Sequence, residues 1–171
     1  MNYYNFEEFT EDCNGFNEIA GKSDKLSIQD FKDQLKLIQS ELKEMEDGIN
    51  NNNIEEILDG FLDVFVTNAG IGQKLQRLGV DIYKAARLVA DNNYSKFISG
   101  NQYPTLEATL KNYIGQGVNV YAIYDIVSES FVVKRASDDK VMKPIDFKSV
   151  NLEEVIPKDL LKNGITKSFE G

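Results

Sequence analysis

Histidine and cysteine are almost absent from this sequence. The 171-residue chain contains no histidine and one cysteine, Cys13. Without imidazole it cannot perform Ser-His-Asp or Cys-His catalysis, histidine-bound zinc chemistry or zinc-dependent deamination. A lone cysteine excludes an intrachain disulfide and a thiolate metal cluster, which is typical of a reducing, cytoplasmic setting. Any catalysis must therefore use carboxylates, lysines, hydroxyls or a bound metal.

Positive charge is also scarce. The chain has 19 Lys and Arg against 28 Asp and Glu, a formal net charge of −9 and a pI near 4.6. Such a balance argues against a general nucleic-acid partner or an anionic membrane surface, because the electrostatic term would be repulsive. It allows a phosphorylated small molecule, provided that divalent cations mediate the contact.

Long apolar runs are missing as well. No uninterrupted stretch approaches the roughly 20 residues that a membrane helix needs. The opening letters MNYYNFEEF are acidic and lack the basic and apolar regions of a secretory signal. At this length we expect one compact domain with a sizeable core rather than two.

Helical periodicity dominates the first two thirds of the chain. Apolar residues at steps of three and four predict a helix ending near Gly21, a second from a Ser27-Ile28-Gln29-Asp30 cap to about Gly48, a third over 54–78 and a fourth over 80–93. The third contains Gly60, Gly70 and Gly72, which are costly inside a helix and indicate close packing against another helix.

The last third has a different pattern. A short helix is predicted from Tyr103 to about Ile114, and β-branched and aromatic residues at 118–127 and 131–135 predict a hairpin. We therefore predict a mainly α protein, with a helical bundle over residues 1–100. A small α+β extension over 101–171 would form one compact unit with that bundle.

Two acidic motifs lie on consecutive helices. On the third helix, Glu56, Asp59 and Asp63 share one face, which Thr67 and Gly70 continue, inside an otherwise apolar segment. The second helix carries Glu41 and Glu44, three residues apart. No lysine or arginine lies between positions 43 and 74 to neutralise the third-helix carboxylates.

An antiparallel pair of these helices would bring four or five carboxylates to similar heights. Like charges at that range need a counter-ion or a raised pKa. Mg²⁺ fits best because it takes hard oxygen ligands and pairs with phosphates. The alternative is a solvated acidic helix face, since E-x-x-E pairs are common on such faces.

These motifs resemble those of the all-α nucleoside-triphosphate pyrophosphohydrolases, the superfamily of MazG, dimeric dUTPases and phosphoribosyl-ATP pyrophosphohydrolase. The matching residues are E-x-x-E at 41–44 and E-x-x-D at 56–59, extended as DGFLDVF in a way that resembles bacteriophage members. The segment VADNNYSKF at 89–97 resembles the family's fourth helix, and DDKVMKP at 138–144 is similar to a basic D-G-K-x-x-K segment.

The resemblance implies hydrolysis of a (d)NTP or related nucleotide between the α- and β-phosphates, giving NMP and pyrophosphate. It implies Mg²⁺, with Mn²⁺ as an alternative, bound by Glu41, Glu44, Glu56, Asp59 and Asp63. Glu41 or Glu44 would act as the base. The residues implied to contact the phosphates are Asn93, Lys96, Lys140 and Lys143, and those implied to border the nucleoside are Phe9, Phe16 and Asn17.

The way in which that family assembles implies a homodimer or homotetramer. We expect a cytoplasmic location, which would be the host cytoplasm if the protein is phage-encoded. Two other interpretations stay open. One is a non-catalytic helical bundle that binds nucleotide or a host partner through the hairpin, and the other is a plain helical oligomer with a solvated acidic stripe.

Overall fold

The computed structural model describes residues 6–22 and 24–165. Within these residues it contains six α-helices and one three-stranded antiparallel sheet, which confirms the predicted mainly α architecture with a small α+β part. None of the helices in the described part of the chain is long and apolar enough to cross a membrane.

The elements follow the predicted order. They are α1 (Phe6–Ile19), α2 (Ile28–Asn50), α3 (Ile54–Arg77), α4 (Ile82–Tyr94), β1 (Ile98–Ser99), α5 (Tyr103–Gly115), β2 (Val120–Asp125), β3 (Ser130–Arg135), a 3₁₀ turn (Glu153–Val155) and α6 (Lys158–Asn163). The periodicity predicted neither β1 nor the two short C-terminal elements. In addition, α2 continues to Asn50 instead of ending near Gly48.

The described chain forms two compact units. Among the described residues, one unit comprises 6–22, 24–82 and 153–165, and the other comprises 83–152. The sequence prediction placed the boundary after residue 100 and joined the extension to the bundle. The observed division falls near the start of α4, and the segment after residue 152 returns to the first unit.

The pair of α2 and α3 forms the frame of the first unit. Ser27 caps α2, and its side chain and that of Asp30 bond reciprocally with the backbone, as the cap motif predicts. The two helices are joined by a short turn at 51–53. An ideal Cβ on Gly60 would lie 2.8 Å from the Met45 Cβ, and one on Gly48 would lie 2.9 Å from the Glu56 Cβ. Both glycines therefore permit a close helix approach.

The other predicted packing glycines behave differently. At Gly70 a Cβ would lie 2.8 Å from the Gln34 amide nitrogen, so this position is also tightly packed. Around Gly72 nothing lies within 4 Å of an added Cβ. The expectation that Gly72 lies at a close helix contact was wrong, because an added Cβ there would meet open space.

Helix α1 packs against another side of α3. Asn17 is buried, and its amide donates 2.8 Å hydrogen bonds to the carbonyls of Cys13 and Val66. Gln73 of α3 donates to the Asn14 carbonyl at 2.7 Å. Polar side chains that reach the neighbouring backbone thus hold α1 on α3.

Much of the apolar surface of α2 and α3 is exposed in the part of the chain that the structure describes. On α2, the residues at seven-residue intervals are 44–56% exposed: Ile28, Leu35, Leu42 and Ile49. On α3, Leu58, Phe61 and Phe65 are 40–56% exposed. The predicted amphipathic stripes exist, but the described residues leave them largely open to solvent.

The second unit has its own core. The buried residues are Ile98, Leu106, Phe131 and Val133, with Leu110, Val120 and Met142 packed against them. The strand order is β1-β3-β2, and both pairings are antiparallel. The predicted hairpin is therefore confirmed, and β1 adds a two-residue edge to it.

Candidate metal centre

The packing register of α2 and α3 places the two acidic motifs side by side. Gly48 lies against Glu56, and Gly60 lies against Met45. Because the helices are antiparallel, this register brings Glu41 to the level of Asp63. A cleft of about 340 Å³ lies at the turn end of the pair, lined by Glu44, Asp47, Asn51, Glu56, Asp59 and Gly60.

The pKa of Glu41 is affected by the other carboxylates of this cluster. Partial burial raises the pKa of its carboxyl group, and the neighbouring charges of Glu44, Asp63 and Asp59 raise this pKa further, in that order. The ammonium of Lys22 acts in the opposite direction. Since charges on both helices affect Glu41, the carboxylates form one electrostatic group across the α2–α3 contact.

The described residues supply no direct counter-ion to this group. Among residues 6–22 and 24–165, no hydrogen bond or ion pair reaches the carboxylates of Glu41, Glu44, Glu56, Asp59 or Asp63. The Lys43 ammonium instead forms ion pairs with Glu46 at 3.0 Å and with Asp47 at 2.7 Å. The cluster carries charge that a bound cation would neutralise.

The donor set suits Mg²⁺ or Mn²⁺ in kind, because every member is a carboxylate oxygen. In the described part of the chain, no three Asp, Glu or Cys side chains converge closely enough to enclose an ion. Glu44, Glu56 and Asp59 are exposed. Because they are exposed, their side chains can adopt other rotamers.

The predicted phosphate contacts belong to the second unit. Lys96, two residues after the end of α4, donates a 2.7 Å hydrogen bond to the side-chain oxygen of Asn93 on α4. The two residues therefore form a joint polar group at the end of the helix. Asn93 is exposed and Lys96 is partly buried.

The two downstream lysines, Lys140 and Lys143, have different surroundings. Lys143 lies over the Phe147 ring, with its Nζ 4.7 Å from the ring centroid. Lys140 is exposed, and its carbonyl accepts from the Arg135 amide at 2.9 Å. Asp139, which stands where the family motif has glycine, has a φ of 56°. The left-handed turn that glycine would favour is therefore present with an aspartate.

A second cleft lies beside α4, within the second unit. Its volume is about 590 Å³, and it is lined by Leu88, Asp91, Asn92, Ser95, Asp146, Phe147, Lys148, Val150 and Asn151. The Asn92 amide donates to the Lys148 carbonyl at 2.6 Å and joins its two walls. Two of the lining residues, Asn92 and Ser95, directly precede Asn93 and Lys96 in the sequence.

The predicted nucleoside-border residues differ in access. Phe16 is 55% exposed, and the Lys22 ammonium lies 5.8 Å from its ring centroid. Phe9 is partly buried. Asn17 is only 1% exposed and its amide is used for packing α1 on α3. The Asn17 side chain therefore already makes hydrogen bonds that hold α1 on α3.

Three residues at the cluster escaped the sequence analysis. Asp47 and Asn51 line the cleft with Glu44. Asp47 lies three residues after Glu44 on α2 and Asn51 caps the end of that helix, so the helical repeat from Glu41 and Glu44 could have indicated Asp47. Lys22 affects Glu41 from the α1–α2 connection. No local pattern predicts its position, because the packing of α1 on α3 sets it.

Comparison of the chain with protein-family models, with curated proteins and with solved structures gave no match.

Proposed function

We propose that this protein is a Mg²⁺-dependent nucleotide pyrophosphohydrolase, which cleaves a (d)NTP or related nucleotide to NMP and pyrophosphate. The observation that carries the proposal is the group of carboxylates facing each other across α2 and α3. Partial burial raises the pKa of Glu41, the charges of Glu44, Asp63 and Asp59 raise it further, and the group has no direct counter-ion among the described residues. The resemblance of the motifs at 41–44 and 56–59 to the all-α pyrophosphohydrolases supports the same reaction.

The carboxylates have two roles in this proposal. Glu41, Glu44, Glu56, Asp59 and Asp63 would hold the cation. When bound there, Mg²⁺ would offset the negative charge of the triphosphate and make water a better nucleophile.

Glu41 or Glu44 also accepts the proton of the attacking water. As the new P–O bond forms, the bond between the α- and β-phosphates breaks and pyrophosphate leaves with its electron pair. The raised pKa of Glu41 favours its acceptance of a proton.

The basic residues of the second unit have a supporting role in the proposal. The Asn93–Lys96 pair offers an amide and an ammonium to phosphate oxygens. Lys140 and Lys143 are the further candidates for this contact. Lys140 is exposed, whereas Lys143 must leave the Phe147 ring to reach a ligand.

The exposed apolar positions support a homo-oligomer. On α2 they recur every seven residues, which is the spacing that packs against a further helix. We propose that a second copy covers them, giving a homodimer or homotetramer in the cytoplasm.

The test is a panel of NTPs and dNTPs assayed for pyrophosphate release with Mg²⁺ and with Mn²⁺. We expect turnover of at least one nucleotide, and a loss of about 10²-fold or more in Glu44→Gln or Asp59→Asn, because each removes a charged ligand. Glu46→Gln is the matched control. Glu46 lies on the same helix, is 63% exposed at its side chain and pairs with Lys43 outside the cluster.

Absence of turnover across the whole panel would exclude the enzyme. If divalent cations then still raised the melting temperature, a non-catalytic nucleotide-binding or partner-binding bundle would be the better account. If they left the melting temperature unchanged, the acidic stripe would be a solvated helix face.

A further inference from the structure

The outer edge of β2 is open and unprotected. In the strand order β1-β3-β2, β2 is a six-residue edge strand, and no described segment pairs with its outer side. It contains no lysine, arginine or proline, the residues that commonly protect such edges. The Asp125 carboxylate accepts from the Ser128 amide at 2.8 Å in the hairpin turn, so it is engaged there rather than guarding the edge.

The hydrogen bonds of the hairpin identify the backbone groups on this edge. Ala136 N donates to Asn119 O at 2.9 Å, and these residues stand opposite each other one step beyond the Val120–Arg135 pair. Hydrogen-bonded and non-hydrogen-bonded pairs alternate in an antiparallel ladder. Tyr121 and Ile123 therefore direct their N–H and C=O groups towards β3.

The intervening residues Val120, Ala122 and Tyr124 direct theirs away from β3. The far side of β3 agrees with this assignment, since Met142 N donates to Val133 O at 2.8 Å, on the side away from β2. Three N–H and three C=O groups of β2 thus face outward. No backbone hydrogen bond from another described segment reaches them.

The side chains along this edge are aromatic or aliphatic and accessible, and the Tyr121 hydroxyl donates to the Asp139 carboxylate at 2.6 Å. Tyr121 is 37% exposed and Ile123 is 45% exposed, on one face of the sheet. Tyr124 is 46% exposed on the other face. At the hairpin tip, Ile126 and Val127 are 81% and 94% exposed. An extended partner strand would cover both the free backbone groups and these side chains.

We propose that the partner is the β2 strand of a second copy of this chain, paired antiparallel about Ala122. In this register Ala122 faces its counterpart, and Val120 faces Tyr124 of the second copy. All the outward N–H and C=O groups then have partners. Registers centred on neighbouring residues leave some of them unpaired.

The side chains also match in this register. Tyr121 stands opposite Ile123 of the second copy, an aromatic–β-branched pair of the kind that stabilises sheets. Asp125 stands opposite Asn119, so the one charged side chain of β2 does not meet a like charge. Two three-stranded sheets would become one six-stranded sheet. This interface is independent of the apolar face of α2 and α3.

Disulfide trapping in the full chain tests the register. Two variants are made in a Cys13→Ala background, one with Tyr121→Cys and one with Ile123→Cys, and they carry different tags. Directly opposed residues in a non-hydrogen-bonded pair have the Cβ separation that a disulfide requires, whereas diagonal neighbours at about 7–8 Å do not. We expect a disulfide-linked heterodimer in the oxidised mixture, and none in either variant alone.

The substitution Ala122→Pro provides a second test of the pairing between the two β2 strands. It removes an outward N–H that the β2–β3 ladder does not use, so the hairpin should form while the heterodimer trap is lost. A mixture that gives no heterodimer while its thiols react in denaturant would overturn the proposal, as would equal trapping in the single variants. Recruitment of an extended segment of another protein would give the first of these results.

Discussion

The close contact of α2 and α3 predicts opposite effects for two glycine substitutions on the same helix. Gly60 and Gly72 both lie inside α3. Replacing either by alanine should favour the helix by about 1 kcal/mol, because glycine is the more flexible residue in the unfolded chain. The difference between the two variants therefore reports on packing alone.

At Gly60 an added Cβ would lie 2.8 Å from Met45 Cβ, 2.9 Å from its N and 3.0 Å from its Cα. Two of these atoms are backbone, so the contact cannot be relieved by a side-chain rotation. Overpacking of this kind costs about 1–3 kcal/mol. Taking the upper value and subtracting the helix gain, Gly60→Ala should lose about 2 kcal/mol, or about 4–8 °C in melting temperature.

At Gly72 nothing lies within 4 Å of an added Cβ. Gly72→Ala should therefore gain about 1 kcal/mol and raise the melting temperature by about 2–4 °C. The assay is thermal and urea unfolding followed by circular dichroism at 222 nm. If Gly60→Ala stabilised the protein as much as Gly72→Ala, α2 and α3 would not be in the described contact, and the carboxylate cluster between them would lose its basis.

Two further predictions concern charged side chains of the first unit. Lys74 is 2% exposed and its ammonium donates to the carbonyls of Lys22 and Lys25. Lys74→Met should lower the free energy of unfolding in urea by about 2 kcal/mol because both acceptors lose their donor, and an unchanged value would contradict that role. Glu41→Gln in EDTA should raise the free energy of unfolding at pH 7 by about 0.5 kcal/mol, since a like charge is removed. The raised pKa of Glu41 means that the folded state binds its proton more tightly, so wild-type stability should rise as the pH falls from 7 towards the ordinary value of 4.5. Glu41→Gln should lose that part of the pH dependence, and an identical pH profile in the two proteins would contradict it.

Local patterns in the sequence account for most of the secondary structure. Three such patterns are the Ser27-x-x-Asp30 cap, the three- and four-residue apolar steps of α2 and the alternating residues of the hairpin. Each involves residues that lie close together in the sequence. Short-range interactions decide these features. The strand β1 has only two residues and exists because Ile98 pairs with Phe131, which no local pattern could predict.

The features that local sequence patterns do not predict depend on tertiary packing. The spacing placed Glu56, Asp59 and Asp63 on one face of a helix, but the nearness of Asp59 and Asp63 to Glu41 depends on the register set by the glycine contacts with α2. Gly72 looked equivalent to Gly60 because both interrupt the same apolar helix. Only the position of the neighbouring helix separates them.

The most direct test of the account is the ³¹P NMR spectrum of a nucleoside triphosphate incubated with the full-length protein and Mg²⁺. It identifies the bond that is cleaved. For at least one nucleotide of the panel, the account predicts growth of nucleoside monophosphate and pyrophosphate signals together, with neither diphosphate nor inorganic phosphate as the first product. A spectrum that stays unchanged for every nucleotide, or that yields diphosphate and inorganic phosphate, would contradict it.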